Sequence, residues 1–279
     1  MKLRLLIAIL TFFTVLNSCT EYRKVLKSDD MQYKYDTALK YYKDGKYTRA
    51  YPLLEELYIV YRGTTKGERI AYLQAKSDFN LKDYILASHR LSQFYKNYPG
   101  SEYAEECQFL SAYCNYLMSP KWSLDQADTY KAIRSFQLFT IEYPESSRID
   151  SCNMLLDEMR LKLELKDYKA AKLFYKMDRY RAAQMAFSNF NRSYPSSKMK
   201  EETSFLEYKS AFLLASNSIE DKKIERIEAA MDAYVTFVDR FPSSENLREA
   251  ESMFEKLQRM QQESKNISRN RFIERISEI

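Results

Sequence analysis

A chain of 279 residues with 45% hydrophobic and 15% aromatic side chains can build one or two ordinary domains, or one repeat array, around a sizeable core. Four glycines and six prolines are few breakers for that length, which favours helix over sheet. The formal charge of +5 is mixed along the chain without the basic stripe of a nucleic-acid binder, and four cysteines with no CxxC pair and a single histidine, His89, make no zinc set.

The chain opens MKLRLLIAILTFFTVLNSC. Lys2 and Arg4 precede an apolar run from Leu5 to Leu16. That run is short for a membrane-spanning helix, which needs about 20 residues, and has the form of a secretory signal. Leu16-Asn17-Ser18-Cys19 resembles a bacterial lipobox, in which cleavage precedes the cysteine and lipid is attached to it. Asn17 departs from the small residue usual there; a plain cleaved signal and an uncleaved anchor are the other readings. On the lipobox reading residues 1–18 are the signal peptide, Cys19 is the lipidated N-terminus, and loss of Lys2 and Arg4 lowers the charge from +5 to +3. Each buried CH₂ of an acyl chain contributes about 0.8 kcal/mol, so several chains anchor a protein firmly. Thr20 follows the cysteine where, in lipoproteins of this kind, an Asp would favour the inner membrane, which points to the outer one. Residues 20–32, TEYRKVLKSDDMQ, read as a polar tether.

From residue 33 the chain repeats itself. Ala50, Leu54, Leu57 and Tyr61 stand at offsets 0, +4, +7 and +11, and the same offsets return in four further sets. These are Ala87, Leu91, Phe94 and Tyr98; Ala132, Phe136, Phe139 and Tyr143; Ala183, Phe187, Phe190 and Tyr194; and Ala230, Tyr234, Phe237 and Phe241. At about 100° per residue each set falls within an arc of roughly 60° on a helix, so each predicts an amphipathic helix with one buried stripe. In four of the five a proline follows the aromatic and ends the helix, because the residue before proline avoids the α region. Ser101, Ser146 or Ser147, Ser197 and Ser244 then suit the N-cap of the next helix, and Glu105, Glu106, Glu201 and Glu202 its first turn.

Ala38, Ala75 and Ala171 lie twelve residues before Ala50, Ala87 and Ala183, with short turns KDGKY, NLKDY and KMDRY between. Helix, turn, helix and proline make the tetratricopeptide (TPR) unit, whose period is about 34 residues. The position usually held by alanine seven residues after the marker alanine is here Leu or Phe. The marker alanines are spaced 37, 45, 51 and 47 apart, so insertions interrupt the array. The expectation is an all-α, TPR-type helical solenoid of about five helix-turn-helix repeats. Repeats one to three occupy 33–144. Residues 145–260 hold a long connecting helix at about 148–176, repeats four and five, and a capping helix. Residues 261–279 form a polar tail.

The lipobox, the short tether, five aromatic TPR units and the long third-to-fourth connection together resemble the BamD family, lipoproteins of the bacterial β-barrel assembly machinery. The resemblance covers roughly 16–260 and is closest over YPESSRIDSCNMLLDEMRLKLELKDYKAAKLFYKMDRYRAA. It implies a non-enzymatic scaffold, lipid-anchored to the outer membrane and facing the periplasm. C-terminal repeats would bind a BamA-type barrel protein, and N-terminal repeats would meet unfolded outer-membrane proteins. The alternative is another periplasmic TPR lipoprotein that coordinates cell-envelope or peptidoglycan machinery. A glycan-binding lipoprotein is disfavoured by a single tryptophan and short insertions, and an enzyme by the absence of a phosphate loop, nucleophile elbow or Cys-His pattern.

Candidate contact residues carry two readings each. Tyr33, Tyr35, Tyr41 and Tyr42 crowd the first repeat and either belong to its core or line a groove for extended substrate chains. Trp122, in the insertion before the third stripe, either anchors a partner or pins its own loop. Lys176, Arg179, Tyr180 and Arg181, at the turn of repeat four, either form a partner-binding edge or are a solvated basic turn. Cys107 and Cys114 are too far apart along one helix for a disulfide; either can reach Cys152, or all three are buried thiols. No cofactor, metal or nucleic acid is expected.

Overall fold

The computed structural model describes residues 21–277, with side chains to residue 267; Cys19 lies outside them. The chain is all-α and of TPR type, with no strand among the described residues. After a helical stretch at 21–26 come α1 (Met31–Lys43), α2 (Tyr47–Tyr61), α3 (Thr65–Asn80), α4 (Tyr84–Asn97), α5 (Ala104–Met118) and α6 (Ala127–Glu142). They are followed by α7 (Ile149–Lys176), α8 (Tyr180–Ser193), α9 (Lys200–Ser216), α10 (Glu220–Arg240) and α11 (Leu247–Ser277). No described helix is long and apolar enough to cross a membrane. The chain divides into two compact units between Met159 and Arg160, inside α7.

In the first unit α1 to α6 each pack on the next in sequence. Two buried clusters form. One joins Tyr35, Ala38, Ala50, Leu54 and Leu57 with Ile70 and Leu73; the other joins Ala87, Leu91 and Phe94 with Cys107, Phe136, Phe139 and, from α7, Cys152, Leu156 and Met159. The unit ends inside α7 because that helix buries its first half in this core. In the second unit α8, α9, α10 and α11 pack in order. Ala183 and Phe187 form one cluster with Ala171; Tyr208, Ala230 and Phe237 form another with Ala250 and Leu257 of α11. The first three positions of every stripe are buried except Tyr234, which is half-buried and stacks on Phe254 at 4.2 Å. The fourth, at each helix end, is half-buried.

The helix stops are near-identical copies. Tyr98, Tyr143, Tyr194 and Phe241 leave the helix with φ between −124° and −130° and ψ between 61° and 66°. Each donates its N–H to the carbonyl four residues back at 2.9 Å, and its own carbonyl accepts the N–H of Ser101, Ser146, Ser197 or Ser244 at 3.1 Å. The serines do not cap the next helix. Each hydroxyl accepts the N–H two residues on, of Tyr103, Arg148, Met199 or Asn246, and the helix begins one residue later. A proline that forces the chain out of the α region needs a turn before a new helix starts, and the serine orders that turn.

The turns within repeats one, two and four share a left-handed residue: Gly45 (φ 71°), Lys82 (φ 64°) and Asp178 (φ 57°). The paired bonds Gly45 N–H to Tyr42 and Lys46 N–H to Tyr41 recur as Lys82 to Phe79 with Asp83 to Asp78, and as Asp178 to Tyr175 with Arg179 to Phe174. This is the Schellman closure of a helix C-terminus.

Two expectations are corrected, and the two readings of the cysteines are decided for buried thiols. The stretch 20–32 is not simply a tether: residues 21–26 are helical, Val25 is 2% exposed in the first core cluster, and Asp30 caps α1 through the N–H groups of Gln32 and Tyr33. The polar tail is largely helix, because α11 continues to Ser277. Ser264 is buried and donates to Glu220 at 3.4 Å. Cys107, Cys114 and Cys152 are buried free thiols, and burial pushes them up to about 12, 12 and 11.

Candidate functional site

Two grooves stand out, one in each unit. The first unit's groove is built by the 21–26 helix, α1 and the start of α2, and holds about 390 Å³. Tyr33 and Tyr41 line it with Val25, Lys40 and Arg49. The Arg49 guanidinium lies over the rings of Tyr22 (5.7 Å) and Tyr41 (6.0 Å), which meet edge-on at 5.9 Å. Burial, then the neighbouring Tyr41, holds the Tyr22 phenol above its usual range. Tyr33 is 48% exposed at the groove wall. Tyr35 is buried in the core instead, with the Lys66 ammonium over its ring at 5.5 Å. Tyr42 is half-buried against Tyr47 at 5.3 Å, and burial pushes its phenol up to about 12. Only two of the four tyrosines therefore line this groove. Val25 and Arg49 were missed, although Tyr22, Val25 and Leu26 already stand at helical spacing in the sequence.

The second unit's groove is built by the turn before α8, by α8 itself and by α9. Asp178, Arg179, Tyr180 and Arg181 line a cavity of about 770 Å³ whose apolar part is Ala182, Met185 and Leu214. A narrower recess of about 290 Å³ shares Arg181, Met185 and Leu214 and extends to Glu207, Lys222 and Arg226 of α9 and α10. The Schellman closure fixes the turn, and the Tyr180 hydroxyl donates to Asp178 at 2.7 Å. That bond holds the Tyr180 phenol above its usual range. Asp178 is thereby engaged, and Glu207 accepts from Asn191 at 2.9 Å. Arg179 and Arg181 are exposed and have no ion-pair partner among the described residues. Met185, 60% exposed, supplies a flexible apolar contact between them and Leu214. The groove thus offers cationic groups beside an apolar strip. Lys176 is exposed at the end of α7 and does not line the groove.

Trp122 belongs to neither groove. It is 37% exposed in the α5–α6 loop, and that loop is organised around buried Gln126. The Gln126 side chain donates to the carbonyls of Lys121 (2.9 Å) and Leu124 (3.0 Å) and accepts from Thr129 (2.8 Å). Among the described residues no group of three or more His, Cys, Asp or Glu is placed to hold a metal, and His89 is exposed.

Residues 27–184, more than half of the chain, match the YfiO family, described as outer membrane lipoprotein. The chain belongs to this family. It is also 25% identical over 173 residues to a protein of Aquifex aeolicus (strain VF5) that bears the name outer membrane protein assembly factor BamD. That match covers 61% of this chain and 56%, little more than half, of the relative's own length. The family match begins just after the helix at 21–26 and ends inside α8, so it takes in the α1 and α2 walls of the first groove and the turn that opens the second.

Proposed function

We propose that this outer membrane lipoprotein is a scaffold of outer-membrane protein assembly. It holds a BamA-type barrel protein at the α8–α9 groove and meets unfolded outer-membrane proteins at the first-repeat groove. The observation that carries the reading is the convergence of Arg179, Tyr180 and Arg181 with Met185 and Leu214 on one open cavity. Cationic groups beside an apolar strip, held by a fixed turn, suit a folded partner with acidic loops. The tyrosine-lined groove suits extended, aromatic-bearing chains, because each ring offers area and a hydroxyl. The name of the Aquifex relative supports the assembly role. Trp122 is proposed as a further partner contact, as an exposed tryptophan on an ordered loop. The scaffold acts without catalysis, anchored through Cys19 with its repeats in the periplasm.

The test is charge reversal at Arg179 and Arg181 together, followed by purification of the detergent-solubilised protein. The expected result is loss of the co-purifying barrel protein, with binding of an unfolded outer-membrane protein peptide kept. Retention of the barrel with loss of peptide binding assigns the two grooves the other way round. Co-purification of peptidoglycan machinery in place of a barrel overturns the assembly role.

A further inference from the structure

The helix at 21–26 is fixed on the first repeat at two points. Val25 is buried in the core cluster with Tyr35, Ala38 and Leu53, and Tyr22 packs edge-on against Tyr41 with the Arg49 guanidinium over its ring. Its rotation is therefore set. The Lys27 N–H bonds to the Arg23 carbonyl at 3.2 Å, so Lys27 still follows the helical turn. At about 100° per residue, Arg23, Lys24 and Lys27 fall within an arc of roughly 100° whose middle lies about 150° from Val25. With Val25 turned into the body, that arc faces out. All three residues are exposed, and none has an ion-pair partner among the described residues. Val25 stands only six positions after Cys19, and even fully extended such a stretch spans about 20 Å.

We propose that Arg23, Lys24 and Lys27 form a docking surface for anionic phospholipid headgroups of the membrane that holds the Cys19 acyl chains. The inference rests on the reading of Cys19 as the lipidated N-terminus. The first repeat then lies on the lipid surface rather than on a leash, and the Tyr33/Tyr41 groove, whose wall includes Val25, opens beside the bilayer. Each basic residue near an anionic leaflet contributes about a five-fold gain in binding, so three contribute about a hundred-fold. Such a contact is weak between free partners. It is effective here because the acyl anchor already holds the helix at the surface, at an effective concentration of about millimolar. High salt screens it, while the acyl anchor is unaffected.

The test uses the full acylated chain in vesicles, with a fluorescent probe on a cysteine at Ser28→Cys and a quencher carried on the lipid. The three buried native thiols stay unlabelled. Vesicles containing phosphatidylglycerol should quench the probe strongly. Quenching should fall several-fold in R23E/K24E/K27E, less but in the same direction in R23Q/K24Q/K27Q, at high salt, and in pure phosphatidylcholine. Equal quenching of the native and reversed chains, or in neutral and anionic vesicles, overturns the proposal. Flotation of the native chain with vesicles at high salt reports the anchor separately. A chain that fails to float overturns the lipidation reading, and this proposal with it. A chain that floats without charge-dependent quenching overturns the docking surface alone.

Discussion

The Tyr72 hydroxyl donates to the carboxylate of Glu106, thirty-four residues further on, at 2.6 Å. Lys76 pairs with the same carboxylate at 2.7 Å. Tyr168 and Lys172 repeat the arrangement on Glu202, again thirty-four and thirty residues on, both at 2.8 Å. In each case the first helix of one repeat is tied to the first turn of the next repeat's first helix. The tyrosine ties span the thirty-four residues of an uninterrupted TPR unit, and the lysine ties are one helical turn shorter.

These ties predict acid sensitivity. Burial pushes Glu106 and Glu202 up, but the bonds from Lys76 and Tyr72, and from Lys172 and Tyr168, outweigh it and leave both carboxyls below their ordinary 4.5. A carboxyl held low when folded stabilises the fold fully above about pH 4.5 and loses that contribution as pH falls through its folded value. Glu106→Gln should cost about 1–3 kcal/mol at neutral pH, because Lys76 is left partly buried without its partner. The variant should also flatten the acid side of the stability profile. Thermal melts of native and variant chains from neutral pH to pH 3 check this; parallel profiles refute it.

Phe139 and Phe187 are fully buried. Phe139→Ala and Phe187→Ala should each cost about 3–5 kcal/mol. In a repeat array the damage stays near the site. Hydrogen exchange should therefore show lost protection in the helices touching the lost ring, with the other unit's helices unchanged.

Gly67, in the first turn of α3, leaves no room for a side chain. A Cβ there would stand 2.1 Å from the Tyr61 carbonyl oxygen and 2.8 Å from its carbon. Both are backbone atoms and cannot swing aside. Gly67→Ala should destabilise the chain by about 3 kcal/mol, despite alanine's better helix propensity. Urea unfolding reads the loss directly.

Lys82 holds the left-handed position that Gly45 holds in the first repeat, and its side chain is exposed. An L-residue there pays about 1–2 kcal/mol that glycine does not. Part of the gain returns through the greater freedom of glycine in the unfolded chain. Lys82→Gly should therefore stabilise by about 0.5–1 kcal/mol. A lowered denaturation midpoint contradicts it.

Cys107, Cys114 and Cys152 are buried, and burial holds their thiols far above neutral pH. A thiol-specific reagent at pH 8 should leave them unmodified in the folded protein and label all three after denaturation. Rapid labelling under native conditions would mean that the core around Phe136 and Phe139 opens.

The stripes at Ala87–Tyr98 or Ala183–Tyr194 were legible from residue order, because helical periodicity is local. A buried face needs only side chains three and four apart, and a proline after an aromatic stops the helix wherever it stands. The long α7 was legible for the same reason, since nothing between Arg148 and Lys176 breaks a helix. The partners across repeats were not. Glu106 and Glu202 read as first-turn acids, and nothing local distinguishes them from Glu105 or Glu201. Their roles follow from where the intervening hairpin returns the chain. That distance changes with helix length: α10 runs to 21 residues, so Lys209 meets Glu249 forty residues on and Tyr208 meets Ala250 forty-two on, where repeats two and four use thirty and thirty-four. The fate of the tyrosines was set in the same way. Tyr33 and Tyr35 are two apart on α1 and so point to different sides, and packing of α2 and α3 buried one and left the other at a groove. A polar-looking segment gave up Val25 to that same core because an apolar gap beside α1 stabilises whatever short helix can fill it.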